Sequence, residues 1–284
     1  RYAEEDKFAH IFAFLNYQTK IGTFYLGNFK FSGGNSLVLG EPYAEFNSLW
    51  TMPRLYKKRQ VSAQSSLSRQ NQFLGAAYEV NLGEFKVLAA MGQQYYDVHL
   101  NENGSFSSLN ADQKYFSDEL KKLSSLTENL NFLQISMPIL GVETELECMR
   151  TSFSKPFKPT NYYLTQTQAF NTLGLSLHLN LKPFLFNLKL ANQNNNTASE
   201  FAAQYRQHGN NVTLKMSNFS PHFNPIHAKS SLKSDVTNGQ IVMLHSEQKV
   251  NSQLVSIYCG KAQTKLKIQQ QTIFQNQKNN FWQD

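Results

Sequence analysis

Three carboxylates at every second residue are the best candidates for acid–base chemistry in this sequence. In an extended strand, Glu143, Glu145 and Glu147 would all lie on one face. Carboxylates that share an enclosed site can act as general acid and general base. Like charges on one face are more often paired with Lys or Arg, and Arg150 is a nearby candidate. We prefer this structural interpretation, which predicts no catalytic residue here.

Two histidines are the most suggestive metal ligands. His222 and His227 lie five residues apart, and no Cys, Asp or Glu lies between or immediately beside them. A metal site needs further ligands of these types. Pro221 and Pro225 make a rigid loop the better interpretation. We therefore predict no metal site and no cofactor.

Two glycine-containing motifs resemble phosphate-binding turns. SGGN begins at Ser32 and HGNN begins at His208, but neither leads into the helix that a phosphate-binding loop requires, so both are interpreted as β-turns. No GxSxG, HExxH or kinase-type motif occurs. Cys148 and Cys259 allow one disulfide or two free thiols. Together these features predict a protein that is not an enzyme.

The net charge of +7 raises the question of an anionic partner. The densest basic cluster, in the stretch MPRLYKKRQ, contains Arg54, Lys57, Lys58 and Arg59. We interpret this basic loop patch as solvated charge rather than as a dedicated phosphate site. It also motivates an alternative, in which the protein is a soluble, basic, β-rich accessory subunit of a large assembly, one candidate being an assembly that contains RNA.

Strict alternation of apolar and polar residues identifies the elements that must position these side chains. In LSLHLNL, residues 175–181, four leucines share one face of a strand and the residues Ser, His and Asn share the other. The phase inverts after Lys182 and Pro183, and FLFNLKL, residues 184–190, alternates again. The inversion predicts a tight turn between paired strands.

Alternating segments recur along the whole chain, and the connections between them differ in length. Short connections such as NLGE and KPF contrast with long polar ones, expected at residues 101–129, 192–200 and 219–238. In the first long connection, the spacing of Tyr115, Phe116, Leu120 and Leu123 predicts one short helix. Short turns at one end and long loops at the other are typical of outer-membrane barrels.

The chemistry of the polar face favours a barrel over a soluble sandwich. Charged residues make up only 17% of the chain, and Ser, Thr, Asn and Gln dominate the polar positions of the strands. A lumen tolerates such neutral groups, whereas lipid requires an apolar outer face. We predict an all-β, antiparallel, up-and-down transmembrane β-barrel of about 12 to 16 strands. It would form a single domain over residues 1–284, and the C-terminal NNFWQD resembles an interior stretch that further residues or a partner chain would complete.

Three stretches resemble one family of membrane proteins. They are FYLGNFKFSGGNSLVLG, SSLSRQNQFLGAAYEV and FNTLGLSLHLNLKPFLFNLKLA, which lie within residues 24–231. They resemble strand pairs of the Bacteroidota outer-membrane β-barrel proteins that are associated with ComEA-like helix-hairpin-helix segments. No helix-hairpin-helix motif is visible here. The resemblance implies an antiparallel barrel located in the bacterial outer membrane.

We therefore expect a non-catalytic, porin-like channel or a structural subunit of an envelope complex. Its partners would be the lipid bilayer and other envelope proteins, and nucleic acid would be the partner only in the alternative. If the barrel transports solutes, Lys30, Lys189 and Lys215 are the predicted lumen contacts for anions. Whether the lumen is open or plugged is not determined by the sequence.

Overall fold

A computed structural model describes the chain in segments. Within residues 239–273 the structure describes only the backbone of the strands and not their side chains. The described segments are residues 13–39, 58–63, 72–98, 100–107, 124–158, 167–207, 210–220, 223, 239–250, 253–262 and 265–273.

All regular structure in these segments is β-strand, and no helix in them has the length and hydrophobicity of a membrane span. The strands are β1 Phe14–Gln18, β2 Gly22–Ser32, β3 Gln60–Ala63, β4 Gln72–Leu82, β5 Phe85–Val98, β6 Ser124–Ile139, β7 Val142–Phe157, β8 Thr167–Leu181, β9 Phe184–Gln193, β10 Asn196–Gln207, β11 Asn210–Phe219, β12 Gly239–Val250, β13 Gln253–Ala262 and β14 Lys265–Ile273.

These strands form one 14-stranded antiparallel sheet. From β4 to β14 each strand pairs with the next one along the chain, and β2 pairs with β4 on one side and with β1 and β3 on the other. Within the described residues, β14 is not paired with β1 or β3, so the sheet is open there. The predicted all-β, antiparallel, up-and-down architecture is confirmed, and closure into a barrel stays a prediction.

The hairpins form where the sequence contains residues that tolerate tight turns. The Lys182-Pro183 peptide, which is cis, joins β8 to β9 as predicted. Leu140 and Gly141, with φ of 51° and 80°, join β6 to β7. Such positive φ values match the right-handed twist of paired strands.

Two expected connections differ from the structure. The long polar loop expected at residues 192–200 is wrong, because Asn194 and Asn195 alone separate β9 from β10, with φ of 46° and 68°. Asn adopts this left-handed conformation more readily than most residues. The loop expected to end at residue 129 ends earlier, since β6 begins at Ser124. The core of the predicted helix, residues 115–123, lies outside the described residues.

The two ends of the sheet differ in the length of their connections. At one end, which we call the short end, the connections are residues 19–21, 83–84, 140–141, 182–183, 208–209 and 251–252. At the opposite end, which we call the long end, they include residues 33–59, 99–123, 158–166 and 220–238. Residues 194–195 and 263–264 are short connections at the long end as well, so the predicted contrast between the two ends is confirmed only in part.

The sheet is strongly curved. The rings of Phe31 on β2 and Phe132 on β6 have centroids 5.2 Å apart, although these strands are three spacings apart, about 14 Å in a flat sheet. Asn35, which follows β2, reaches the backbone carbonyls of Leu175 on β8 and Leu190 on β9. We call the concave side the inner face and the convex side the outer face.

Two apolar clusters fill parts of the inner face. The first surrounds Phe29, Phe31 and Phe73 and extends to Phe132 and Met149. The second lies toward the long end, where the ring of Phe106 packs against those of Phe153 and Phe157. These clusters anchor parts of the connections at the long end against the inner face.

Candidate functional site

The outer face carries an exposed apolar band toward the short end of the sheet. In register, Leu146, Leu175 and Leu190 form one row across β7, β8 and β9. Leu173 is 58% exposed and Leu181 is 56% exposed. Further outward-facing residues of this band are Val80, Val87, Ile135, Ile139, Val142, Leu177, Leu179, Phe184, Phe186, Leu188, Phe201, Leu214 and Met216.

Toward the long end, the outer face changes to polar residues. Asn131, Arg150 and Asn171 form one register row across β6, β7 and β8. On β5, Gln93 is in register with Asn129, one row closer to the long end, whereas the exposed Met91 lies in the row of Asn131. Asn192 on β9 lies one row closer to the short end. A polar rim therefore borders the apolar band on the side of the long connections.

The inner face has the opposite character, since many of its buried side chains are polar. Glu145 and Glu147 on β7 are 1% and 2% exposed. Other buried polar residues that alternate with the outer apolar ones are Gln94, Glu128, Gln134, Thr151, Thr172, Ser176, Asn187, Lys189, Gln193, Gln204, Thr213 and Ser217. Soluble proteins bury apolar residues and expose polar ones. Toward the short end of β6 to β11 this polarity is inverted, whereas Phe132, Met149, Phe153 and Phe170 fill the inner face farther toward the long end.

A short segment that follows β2 crosses the inner face. We call residues 33–39 the inner segment. Its Asn35 is fully buried, and its amide nitrogen donates to the carbonyls of Leu190 at 3.0 Å and Leu175 at 3.3 Å. The backbone N–H of Asn35 donates to Glu147 Oε1 at 3.1 Å. One residue therefore ties the segment to three strands.

Arg59 completes this cluster. Its Nη2 lies 2.9 Å from both carboxylate oxygens of Glu147, and both side chains are fully buried. Nη1 donates to the carbonyl of Leu39 at 2.6 Å, and the guanidinium carbon lies 5.4 Å from the ring centre of Phe132. Such a pair is held by mutual attraction and hydrogen bonds against a large desolvation cost.

Two glycines make room for the cluster. A Cβ on Gly174 would collide with Val38 Cγ2 and come within 2.9 Å of Asn35 Nδ2. A Cβ on Gly34 would lie 2.5 Å from Arg59 Nε and from Glu147 Oε1, and its φ is +72°. Close approach of the inner segment to β7 and β8 therefore depends on glycine at these two positions.

A second polar contact holds the inner segment to β9. Lys189 Nζ donates to Ser36 Oγ at 2.9 Å and lies 3.8 Å from Glu200 Oε1. The lysine is only 9% exposed. The segment is thus attached to the inner face through β7, β8 and β9.

Two of the predicted lumen lysines lie on opposite faces of the sheet. Lys189 lies on the inner face, whereas Lys30 alternates with buried Phe29 and Phe31 and therefore lies on the outer face. The backbone of Lys215 is in register with Ala202. The prediction of a lumen contact is therefore wrong for Lys30, and anion contacts of Lys189 and Lys215 stay predictions.

The basic loop patch is divided. Lys58 is exposed and forms an ion pair with Glu143 at 3.3 Å. The interpretation of the patch as solvated charge is wrong for Arg59, which is 1% exposed because the curved sheet and the inner segment enclose it. Arg54 and Lys57 lie outside the described residues.

The three predicted carboxylates share the inner face, as expected from their spacing. Their basic partners are Arg59 for Glu147 and Lys58 for Glu143, whereas Arg150 lies on the opposite face. The prediction that these carboxylates pair with basic residues is confirmed for Glu143 and Glu147, and the suggested partner, Arg150, is wrong. A residue of β7 cannot reach a neighbour three positions away, because alternate side chains point to opposite faces.

The sequence patterns did not predict that Asn35 and Arg59 hold the inner segment against the sheet. Asn35 follows two glycines in SGGN, a signal interpreted as a turn, and Arg59 was one of several loop cations. His222 and His227 lie outside the described residues. Within the described part, no group of three or more His, Cys, Asp or Glu is placed to hold a metal ion, and Cys148 is an exposed free thiol on the outer face.

Comparison with known proteins gives no relative. No family model, no curated protein and no solved structure matches this chain.

Proposed function

We propose that the protein is a non-catalytic β-barrel of the bacterial outer membrane, a plugged channel or a structural subunit of an envelope complex. The observation that carries this proposal is the inverted polarity of the sheet. A face rich in exposed Leu, Phe and Met is unfavourable in water, because removing one methylene group from water is favourable by about 0.8 kcal/mol. The same face is stable against lipid, and the polar inner face then lines the lumen.

The height of the apolar band supports this proposal. On β8 the outward leucines begin at Leu173 and end at Leu181, a stretch of nine residues. A tilted transmembrane strand needs about 9 to 11 residues to cross the hydrocarbon core. Toward the long end, the next outward residue after Leu173 is the polar Asn171, and the strand would leave the hydrocarbon core of the membrane there.

The inner segment supports a plugged lumen. Residues 33–39 lie against the inner face and are held by buried contacts of Asn35, Ser36 and Arg59. A segment in this position narrows any passage along the inner face of β7 to β9. The stretches within residues 24–231 that resemble Bacteroidota outer-membrane proteins are the basis for the proposed location.

The proposal is tested by fractionating cells that express the native protein and by measuring migration on a denaturing gel with and without heating. We expect recovery with outer membranes and a mobility that changes on heating, because a closed barrel resists the detergent until it is heated. Recovery of folded protein in the soluble fraction would contradict the proposal. That outcome would favour the basic accessory subunit, for which salt-dependent retention on RNA is the next measurement.

A further inference from the structure

We propose that the outer face binds a phosphate-bearing lipid, with Arg150 contacting the phosphate and a groove across β7 to β11 holding an acyl chain. This inference rests on the proposed membrane location and deepens it. It concerns the outer surface rather than the lumen.

Arg150 is the first observation. Among the side chains that the structure describes on the outer face of β4 to β11, it is the one that carries a charge. It is exposed, and its neighbours in register are the neutral Asn131 and Asn171. A guanidinium flanked by amides can donate several hydrogen bonds to a phosphate.

The level of Arg150 is the second observation. Cys148 and Leu173 form the next register row toward the short end, and this row begins the apolar band. A charge at the centre of the band would be costly, whereas at the rim it costs little and reaches the headgroups. Arg150 therefore lies where the phosphate of a membrane lipid would lie.

A groove of about 500 Å³ beside this position is the third observation. Leu146, Leu173, Leu175 and Leu190 line it on one side and Thr197 and Ser199 on the other. Thr197 and Ser199 on β10 are smaller than the neighbouring leucines on β7, β8 and β9, so the outer surface is lower at β10. Leu173 is a diagonal neighbour of Arg150, about 7 Å away, so one amphiphile can reach both.

The geometry therefore fits one class of partner, a lipid with an anionic phosphate headgroup and an extended acyl chain. A zwitterionic lipid would fill the groove and gain less from Arg150, since its own cation competes for the phosphate. An acidic protein surface could contact Arg150, but it would have no acyl chain to fill the leucine-lined groove.

The test measures lipid binding to the full chain in nonionic detergent by native mass spectrometry. The probes are dioleoyl phosphatidic acid and dioleoyl phosphatidylcholine. We expect tighter binding of phosphatidic acid, and Arg150→Gln should weaken it by about tenfold with little effect on phosphatidylcholine. Arg206→Gln is the matched control, because Arg206 is exposed at the short end and the change in net charge is the same. Ser199→Trp, which fills the groove, should weaken both lipids.

Equal binding of phosphatidic acid by the wild type and Arg150→Gln would overturn the inference. So would an equal loss in Arg150→Gln and Arg206→Gln, which would indicate net charge alone. Flotation of each variant with phosphatidylcholine vesicles separates this failure from that of the proposed function. Protein that floats without lipid preference contradicts the lipid site alone, and protein that does not float contradicts both.

Discussion

At the scale of single residues, the buried pair of Arg59 and Glu147 is the most consequential contact. Removing Glu147 by Glu147→Ala leaves a guanidinium enclosed without its counter-charge. We expect a loss of about 3 to 5 kcal/mol in the free energy of unfolding. Denaturant titration of the protein in detergent, followed by the change in gel mobility, measures it.

An exposed pair on the same strand provides the control. Lys58 and Glu143 have side chains that are 60% and 38% exposed, so Glu143→Ala should cost less than about 1 kcal/mol. If the two alanine variants lost the same stability, the buried pair would not hold the inner segment as described.

Gly174 makes a second prediction at this scale. Gly174→Ala places a methyl group against Val38 and Asn35, and overpacking of this kind costs about 1 to 3 kcal/mol. Because the colliding atom belongs to Val38, Val38→Ala in the same chain should recover part of the loss. Thermal unfolding of the single and double variants decides the point, and additive losses would show that the contact is absent.

At the scale of elements, the outer face of β8 predicts a cost of charge that depends on depth in the membrane. Leu177→Arg lies near the middle of the outward row and should cost about 2 to 4 kcal/mol when the protein unfolds from vesicles. Asn171→Arg, on the same face of the same strand but at the rim, should cost about 0 to 1 kcal/mol. Similar costs at both positions would indicate that water, and not lipid, covers this face.

At the scale of the whole molecule, the short and long ends should lie on opposite sides of the membrane. A protease site inserted between residues 140 and 141 would lie on the periplasmic side, and one inserted within residues 108–118 on the cell surface. Protease added to intact cells should cut the second variant and spare the first. Lysed cells control for access, and cleavage of both variants in intact cells would contradict this orientation.

The sequence by itself determined the all-β class, the antiparallel arrangement and the hairpins at residues 83–84 and 182–183, but not the turn at residues 194–195. Residues 175–190 show why, because period-two alternation and a turn at Lys182-Pro183 act between neighbours along the chain. Such local signals specify pairing without reference to the rest of the molecule. The polar character of the face opposite Leu175 was readable in the same way.

Only the tertiary structure decided what lies inside. Alternation defines two faces but does not say which is enclosed at Lys30, where neighbouring Phe29 and Phe31 turned out to fill the inner face. Arg59 and Glu147 are 88 residues apart, and they meet because the sheet curves around the inner segment. Curvature is the sum of many small strand twists, so no local pattern specifies such a contact.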